Sequence, residues 1–345
     1  MKTEKLYKKY IVVFYSIAFC IFFKSCNSSE QPNKKTPEPL QTKKVWVESP
    51  IFNSDSAYKF IDHQVKFGPR NPTSIGHQNC GDWIVEKMKS FDFSVVEQTA
   101  KLTAFDGTKI QLRNILTQLN PDKRNRILLC AHWDTRPFAD RDTKNRNQPI
   151  LGANDGASGV GILIEIARIL SYSKFEKGVD IVFFDAEDYG VGEMMSEYSD
   201  IKSMNDTWCL GSQFWSRNLN ENYVKPKYGI LLDMVGAENA EFPKEGISRE
   251  HAGKYLNKMW EIAEKIGHQN YFKKKIAPYI TDDHTYINTI TSIPTLDIID
   301  YKVRSNTGNF DFGKFHHTHD DNMEIIHKPT LKAVGETVLS FIYNF

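Results

Sequence analysis

The sequence lacks the features that place a chain in several familiar classes. Lysine and arginine number 44 against 43 aspartates and glutamates in 345 residues, and these charges are spread along the chain. A near-zero net charge gives no reason to expect nucleic acid as a partner. The apolar run at residues 11–23 is short for a membrane span, and no internal repeat is visible. We therefore expect one globular domain of roughly 300 residues.

Cysteine is also scarce, with five residues in the whole chain. Cys20 and Cys26 belong to the N-terminal leader, which leaves an odd number, namely Cys80, Cys130 and Cys209. Cys130 lies within an apolar strand pattern and is predicted to be a small buried residue. Export would permit a Cys80–Cys209 disulfide, but nothing in the sequence requires this bridge.

The first 25 residues are typical of a secretory signal peptide, with a basic start, the apolar run and then Ser25 and Cys26. This junction resembles a bacterial lipobox, in which Cys26 becomes the lipid-bearing first residue. A plain signal peptide cleaved nearby and an uncleaved anchor are the alternatives. The polar, proline-bearing residues 26–50 fit a linker to a folded domain at residues 51–345. We expect a lipoprotein of a Gram-negative bacterium, periplasmic or at the outer membrane.

Short apolar strands alternate with helices through the rest of the chain. The strand patterns are "RNRILLCAHWD", "VDIVFFDAED", "KYGILLDMVGA" and "IPTLDIID", and "GASGVGILIEIARIL" has helical spacing. Two more helices are predicted for "REHAGKYLNKMWEIAEKIG" from Arg249 and for "KPTLKAVGETVLSFIYNF", which has a proline near its start. β-rich runs on either side of "FDG" at residues 105–107 predict an antiparallel hairpin. The pattern predicts a single α/β domain with a mixed, mostly parallel central sheet, helices on both faces and the hairpin at one edge.

Acidic and imidazole side chains follow nearly every predicted strand. They are His132, Asp134, Asp155, Glu187, Asp188, Asp233, Asp282, Asp283, His284, His316, His317, His319, Asp320 and Asp321. Ligands of such sheets bind beyond the carboxyl ends of the strands, so these side chains are expected to converge. Histidine and carboxylate without cysteine are typical of a catalytic zinc site with an open position. Each signal alone has a simpler interpretation, such as Asp155 capping the next helix, but their coincidence favours a metal site.

The order of these motifs carries a resemblance. H-x-D at 132–134, N-D-G at 154–156, E-D at 187–188, "LLDMVG" from 231 and H-T-x-x-D from 317 are similar to the motifs of the zinc aminopeptidase superfamily. "LLDMVGAENAEFP", "DDH" at 282–284 and "HTHDDN" at 317–322 resemble its glutaminyl cyclase (glutaminyl-peptide cyclotransferase) branch more closely, in a bacterial form. The likeness covers the chain from about residue 60 to the end. It implies the superfamily's zinc aminopeptidase-like fold.

The resemblance also implies a division of roles. Glu187 matches the general base, and Asp155, Asp188 and His317 match the ligands of one zinc ion per chain. The sequence departs from the usual cyclase pattern at Asp188, where glutamate is expected, and at His316, which replaces an aromatic residue of the animal enzymes.

Two further acids match a pair that shares a proton beside the metal in cyclases, namely Asp233 and Asp282. His132 matches a ligand of two-zinc peptidases that holds no second metal in cyclases, and Asp134 accompanies it. Trp133, Ile280 and Phe312 are candidates for the substrate pocket, with core packing as the alternative for each.

The implied reaction converts the N-terminal glutamine of a peptide or protein to pyroglutamate with release of ammonia, by a chain that we expect to be a monomer. The rival is a two-zinc aminopeptidase, because its five ligand positions are also filled, by His132, Asp155, Asp188, Asp233 and His317. A third hypothesis is a binding lipoprotein without activity. The presence of an intact candidate base beside an intact ligand set argues against it.

Overall fold

The predicted alternation of strands and helices is present in the computed structural model, which describes residues 45–192, 195, 204–304 and 307–345. The predicted signal peptide, Cys26 and the linker up to residue 44 lie outside these residues. The helices are α1 (Ser54–Val65), α2 (Ile75–Lys89), α3 (Ala157–Tyr172), α4 (Leu210–Arg217), α5 (Gly246–Lys265), α6 (Asp283–Tyr286) and α7 (Lys328–Asn344). The strands are β1 (Ser94–Thr103), β2 (Lys109–Leu119), β3 (Arg126–His132), β4 (Gly178–Phe184), β5 (Gly229–Asp233), β6 (Phe242–Lys244), β7 (Phe272–Ile276), β8 (Thr295–Ile299), β9 (Lys302–Val303) and β10 (Phe310–Asp311).

Six strands form the central sheet in the order β1-β2-β4-β3-β5-β8. The pairs β4–β3, β3–β5 and β5–β8 are parallel, whereas β1–β2 and β2–β4 are antiparallel. Every residue of β3, β4, β5 and β8 is buried, which explains why these strands read as continuous apolar runs. The predicted fold class and the hairpin at the sheet edge are confirmed.

Successive side chains of a strand point to opposite faces of a sheet. Both faces of this sheet are covered. Ile127 and Leu129 join the larger apolar core, which also contains residues of α1, α3, α5 and α7. Leu128 and Cys130 join a smaller cluster with Trp215 of α4. Within the described residues, no helix combines the length and the apolar character that a bilayer crossing demands.

The segment before α1 belongs to the folded unit, which comprises Trp46–Phe345. The Val47 amide donates to Asn344 Oδ1 at 2.8 Å, and the hydroxyls of Ser49 and Ser340 lie 3.1 Å apart. The predicted linker, residues 26–50, therefore extends too far by several residues, since its last part is held against α7.

The cysteines of the folded unit, Cys80, Cys130 and Cys209, are all buried free thiols. The prediction that Cys130 is a small buried residue is confirmed. The Cys80–Cys209 bridge, which export would have permitted, is not formed. Cys209 instead contacts a residue of the candidate site described below.

Candidate active site

The carboxyl ends of the parallel strands carry the predicted polar cluster. β3 ends at His132, β5 ends at Asp233, and β4 is followed by Asp185, Glu187 and Asp188. All of these side chains are buried. The sheet therefore brings residues that are far apart in sequence to one edge, where polar groups shielded from water need partners.

The turn after β4 presents two adjacent acids to different neighbours. The amides of Glu187 and Asp188 donate to the two oxygens of Asp134, at 3.1 and 3.2 Å. One carboxylate thus holds the backbone of both acids. The Asp188 side chain lies 3.1 Å from His317 Nε2, whereas Glu187 Oε1 lies 3.1 Å from Cys209 Sγ.

Asp185, the third acid of this stretch, is a structural residue. Its oxygens hydrogen-bond His77 Nε2 at 2.8 Å, the Arg113 amide at 2.7 Å and the Ala186 amide at 2.8 Å. Ala186 has a positive φ of 52°, which turns the chain away from the strand direction. With both oxygens paired, Asp185 ties the turn to β2 and α2.

The three predicted metal ligands come together. His317 Nε2 lies 3.1 Å from Asp188 Oδ1 and 3.8 Å from Asp155 Oδ2. Asp155 Oδ2 and Asp188 Oδ2 are buried, and among the described residues neither has a hydrogen-bond partner. Unpaired carboxylate oxygens beside an imidazole suit a borderline cation such as zinc, since burial of an uncompensated anion is costly. The alternative role of Asp155 as a helix cap is wrong, because α3 is capped by Gly156 without a side-chain hydrogen bond.

The neighbours of His317 Nδ1 hold the ring in place and favour its neutral form. Its Nδ1 lies 3.6 Å from Asp140 Oδ1, and Asp140 is paired with Arg136 at 2.7 and 2.8 Å. Burial and the positive charge of Arg136 hold the pKa of His317 well below its ordinary value. A neutral imidazole is the form that binds a metal ion.

Trp208 completes this side of the site. No sequence pattern indicated it, because no strand precedes it. Its ring stacks on His317 with centroids 5.7 Å apart and an interplanar angle of 8°. The Arg136 guanidinium lies 4.6 Å from the same ring. Trp208 also packs against Gly190, where an added Cβ would lie 2.1 Å from the indole.

His132 lies among three carboxylates. Its Nε2 is 3.1 Å from Asp155 Oδ1 and 3.2 Å from Asp233 Oδ1, and its Nδ1 is 3.4 Å from Asp134 Oδ1. Burial alone would lower the pKa of His132, but these three acids raise it well above its ordinary value. His132, Asp155 and Asp233 also form a second group that could hold a cation, with ligand atoms within 4.8 Å of one another.

Glu187 is a buried acid with a perturbed affinity for protons. Burial and the neighbouring negative charge of Asp188 raise the pKa of Glu187 well above its ordinary value. The ligand atoms of Glu187, Cys209 and Asp282 lie within 4.8 Å of one another. The predicted base and one member of the predicted acid pair are therefore neighbours.

Asp282 is also buried, and it caps α6 by accepting a hydrogen bond from the Asp283 amide. Within the part of the chain that the structure describes, its other oxygen, Oδ2, lacks a hydrogen-bond donor. Burial and the charge of Asp233 raise the pKa of Asp282 to about 7. In the described part of the chain no direct hydrogen bond joins it to Asp233, whose Oδ1 contacts His132 instead. The predicted proton sharing between the two acids therefore stays a prediction.

A fully buried polar chain lies behind Asp282. His284 Nε2 lies 3.1 Å from Glu245 Oε1, and His284 Nδ1 lies 4.0 Å from Asp297 Oδ2. Sequence reasoning missed Glu245 because the helix pattern of α5 was placed from Arg249, whereas the helix begins at Gly246 with Glu245 as its cap. The cap position before the helix was the signal that could have found it.

The acids and histidines after residue 315 divide into separate roles. Asp321 accepts hydrogen bonds from the amides of Asn154 and Asp155, at 2.7 and 3.0 Å, and so fixes the loop that carries a candidate ligand. His319 pairs with Asp142 at 2.9 Å, away from the ligand trio. His316 and His317 both belong to a group with Asp155 that could hold a cation, with ligand atoms within 4.8 Å of one another, so the choice of His317 as the ligand stays a prediction.

The three candidates for the substrate pocket fare differently. The Trp133 side chain is fully buried in the larger core and stacks on His77 with centroids 4.2 Å apart. The structure therefore places Trp133 in the core, as the packing alternative proposed, rather than in a substrate pocket. Ile280 and Phe312 belong to one small apolar cluster, and the Phe312 ring lies 4.5 Å from that of His316. Their predicted contact with substrate stays a prediction.

The fold and the site together define a class, that of α/β proteins in which buried carboxylates and imidazoles gather at the carboxyl edge of a mixed sheet. The chain belongs to peptidase family M28, whose model matches residues 114–342.

Solved structures give closer likenesses. A glutaminyl cyclase of Bacteroides thetaiotaomicron, crystallised with N-acetylhistamine, shares 47% identity at a TM-score of 0.81, covering 86% of this chain and 100% of that chain. A Zn-dependent exopeptidase of Parabacteroides distasonis shares 46% identity at a TM-score of 0.81, with coverage of 86% and 100%. The resemblance predicted from the motifs, to zinc exopeptidases and more closely to bacterial glutaminyl cyclases, is confirmed.

A curated relative is more distant. The glutaminyl-peptide cyclotransferase of Boiga dendrophila is 23% identical over 257 residues, which are 67% of this chain. The chain spans 65% of the length of that relative.

Proposed function

We propose that this protein is a zinc-dependent glutaminyl-peptide cyclotransferase. It would convert the N-terminal glutamine of peptides or proteins to pyroglutamate and release ammonia. The observation that carries the proposal is the placement of Glu187, a buried acid with a raised pKa, on the same turn as Asp188, whose Oδ1 lies 3.1 Å from His317 Nε2. The likeness to a bacterial glutaminyl cyclase at 47% identity over nearly all of the folded unit supports it.

Asp155, Asp188 and His317 would hold one zinc ion per chain. Two unpaired buried oxygens and a neutral imidazole fit this ion, and zinc sites with three protein ligands keep a fourth position for substrate or water. When bound, zinc supplies a Lewis acid that polarises the γ-carbonyl of the substrate. Asp188 in place of glutamate reaches His317 within 3.1 Å, so the shorter side chain still suits the ligand set.

Glu187 would carry the proton. The neutral α-amine attacks the γ-carbonyl carbon, a carbon–nitrogen bond forms, and Glu187 accepts the amine proton. The same carboxyl then returns this proton to the leaving nitrogen as the old carbon–nitrogen bond breaks and ammonia departs. A raised pKa suits this exchange, because a group that both takes and gives a proton works best near the operating pH.

Asp282 and Asp233 would orient the two nitrogens of the substrate. Asp282 lies beside Glu187, and its carboxyl also contacts that of Asp297. With a pKa of about 7, Asp282 is able to accept from the amine when ionised or donate when protonated. The five-membered ring of the product brings the reacting atoms together, so positioning and proton transfer are what the enzyme must add.

The approach to the site would be lined by aromatic and apolar side chains. Trp208 stacks on His317, and Phe312 contacts the neighbouring His316. Ile280 precedes Asp282 by two residues and is almost buried. These three side chains are proposed to pack around the glutamine side chain of the substrate.

A two-zinc aminopeptidase is the rival function, favoured by the His132, Asp155 and Asp233 group. A metal ion there would have to displace a proton, since three carboxylates hold the pKa of His132 well above its ordinary value. Metal analysis of the purified protein separates the two functions, because the cyclase requires one zinc per chain and the peptidase requires two.

A direct assay tests the proposal. The purified protein is incubated with a Gln-Xaa peptide and, separately, with an Ala-Xaa peptide of the same length. From the first peptide we expect ammonia and a pyroglutamyl product that is lighter than the substrate by the mass of one ammonia. From the second peptide we expect no free alanine. Release of alanine without cyclisation would establish the peptidase instead.

The role of Glu187 is tested by Glu187→Gln, which keeps the shape of the side chain and removes its basicity. We expect zinc content to be unchanged and kcat to fall by at least about 10²-fold, the lower range for general acid–base catalysis. Near-normal cyclisation by this variant would exclude Glu187 as the base.

Export and lipid attachment at Cys26 belong to the same proposal. The polar residues 26–44 would then connect a lipid-bearing Cys26 to the folded unit that starts at Trp46. Mass spectrometry of the protein from its native membrane fraction would detect the acylated Cys26.

A further inference from the structure

The thiol of Cys209 lies against the proposed base. Cys209 is fully buried, and its Sγ is 3.1 Å from Glu187 Oε1. Among the residues that the structure describes, it is the one side chain that hydrogen-bonds the Glu187 carboxylate. A thiol is a weak donor, but a carboxylate acceptor strengthens the bond.

The position of this thiol is fixed by the backbone. The Cys209 amide donates to the carbonyl oxygen of Glu187 at 2.9 Å, and the Leu210 amide donates to that of Ala186 at 3.0 Å. Cys209 itself has a positive φ of 56°, which turns its side chain back toward Glu187 at the start of α4. The residue therefore contacts Glu187 through both backbone and side chain.

The thiol acts here as a donor. Burial, together with the negative charge of Glu187, raises the pKa of Cys209 well above its ordinary value. A buried neutral thiol is unsuited to nucleophilic attack, which needs the thiolate. In residues 45–192, 195, 204–304 and 307–345, the acceptor that its S–H group reaches is Glu187 Oε1.

We propose that Cys209 is a positioning residue for this reaction, whose S–H hydrogen bond holds the Glu187 carboxylate in the orientation that takes the proton from the substrate amine. Without the donor, the Glu187 side chain keeps its location but gains rotational freedom at its end. The inference rests on the proposed role of Glu187 as the base. It does not depend on the number of zinc ions.

The alternative is that Cys209 is only a small buried residue that fills space. The two interpretations predict opposite orders of kcat for two variants of Cys209. Cys209→Ser keeps a hydrogen-bond donor, whereas Cys209→Ala removes it and keeps an apolar group. If packing alone mattered, alanine would be tolerated at least as well as serine, because burying a hydroxyl costs free energy unless it is hydrogen-bonded.

Steady-state kinetics and zinc analysis on the full protein test the proposal. We expect Cys209→Ala to lower kcat by roughly tenfold, the loss of one hydrogen bond to a charged group, with KM and zinc content little changed. Cys209→Ser should restore most of kcat. Cys130→Ala, which removes another fully buried thiol, within strand β3, is the matched control and should leave kcat unchanged. Wild-type kcat in a folded Cys209→Ala variant would overturn the proposal.

A spectroscopic readout keeps the test independent of turnover. The infrared S–H stretching band of Cys209, isolated as the difference between wild type and Cys209→Ala, should shift in Glu187→Gln because the acceptor becomes neutral. An unshifted band would overturn the proposal. If Glu187→Gln abolishes cyclisation while Cys209→Ala retains full kcat, the function stands and the role of Cys209 is refuted. If Glu187→Gln retains activity, the base assignment fails and the role of Cys209 fails with it.

Discussion

Asp134 explains how two adjacent acids serve different purposes. Its carboxylate accepts the amides of both Glu187 and Asp188. The backbone of the turn is thereby held in place, and the side chains of Glu187 and Asp188 contact different neighbours. The two hydrogen bonds to Asp134 also satisfy two buried backbone amides that the turn would otherwise leave without an acceptor.

Replacing Asp134 with asparagine should therefore damage the site without touching substrate. One end of the new amide is a donor and would face a backbone donor of Glu187 or Asp188, which costs about 1–3 kcal/mol for an unsatisfied buried group. We expect weaker zinc binding by about 10–100-fold, a magnitude typical of residues that orient ligands. Chelator competition measures this loss. Asp122→Asn, at an exposed position, serves as the control, and equal zinc affinity in the two variants would contradict the prediction.

At the scale of single residues, the sequence predicted acids better than their supports. Glu187, Asp188 and His317 stand out because charged groups that follow an apolar strand are conspicuous. Cys209 and Trp208 are inconspicuous for the opposite reason, since neither follows a strand and both residue types are usually part of a core. Their positions depend on how α4 docks, which no local pattern reports.

Helix α4 is the element that supports the turn after β4. It reaches the turn so closely that its second residue, Gly211, has no room for a side chain, because an added Cβ would lie 2.3 Å from the Asp185 carbonyl oxygen and 2.5 Å from Asn114 Oδ1. Neither of these atoms is at the end of a flexible side chain that could move aside, since Asn114 is fully buried. The start of α4 is thus in direct contact with the strand that delivers Glu187.

A methyl group at Gly211 should push α4 away from that turn. We expect Gly211→Ala to lower the midpoint of thermal unfolding and to lower kcat together, as the Cys209 amide and thiol lose their contacts. Gly253→Ala in α5 is the matched control, because an added Cβ there meets no atom within 4 Å. It should stabilise the protein slightly, by up to about 1 kcal/mol, the helix propensity gained over glycine. A fully active, fully stable Gly211→Ala variant would show that the docking is not tight.

Elements with a strong local pattern were predictable. The buried parallel strands read as apolar runs, and α3 and α7 were found from helical spacing and, for α7, from the proline near its start. The start of α5 was missed, since its first turn depends on the Glu245 cap rather than on periodicity. The end of the linker was also missed, because Trp46–Ser49 are held by contacts with α7 that are almost 300 residues away in sequence.

The molecule as a whole buries more carboxylates at one edge than it can neutralise by itself. Burial raises the pKa of both Asp282 and Asp321 to about 7, from an ordinary value of 3.8. Between these values the folded protein holds protons that the unfolded chain has released. Stability of the metal-free protein should therefore decrease as pH rises through this range, and this contribution is lost above about pH 7.

Zinc should oppose this trend. Its charge compensates the carboxylates, and its ligands must be deprotonated to bind. We expect the rise in unfolding temperature on adding zinc to grow between pH 5 and 8, roughly the window in which the buried acids lose their protons. Thermal unfolding of metal-free and zinc-loaded protein across this range measures it. Asp321→Asn should flatten the curve of the metal-free protein, and a zinc effect that is the same at all pH values would contradict the prediction.

Helix α7 connects the first described residues of the folded unit to the loop after β5. The helix begins beside the site, where the His327 amide donates to the carbonyl of Gly236 just after β5, and it ends at Asn344, which holds Val47. Its 17 residues measure about 25 Å at 1.5 Å per residue. Residues near Val47 and the loop after β5 are therefore tied to opposite ends of one helix, about 25 Å apart along its axis.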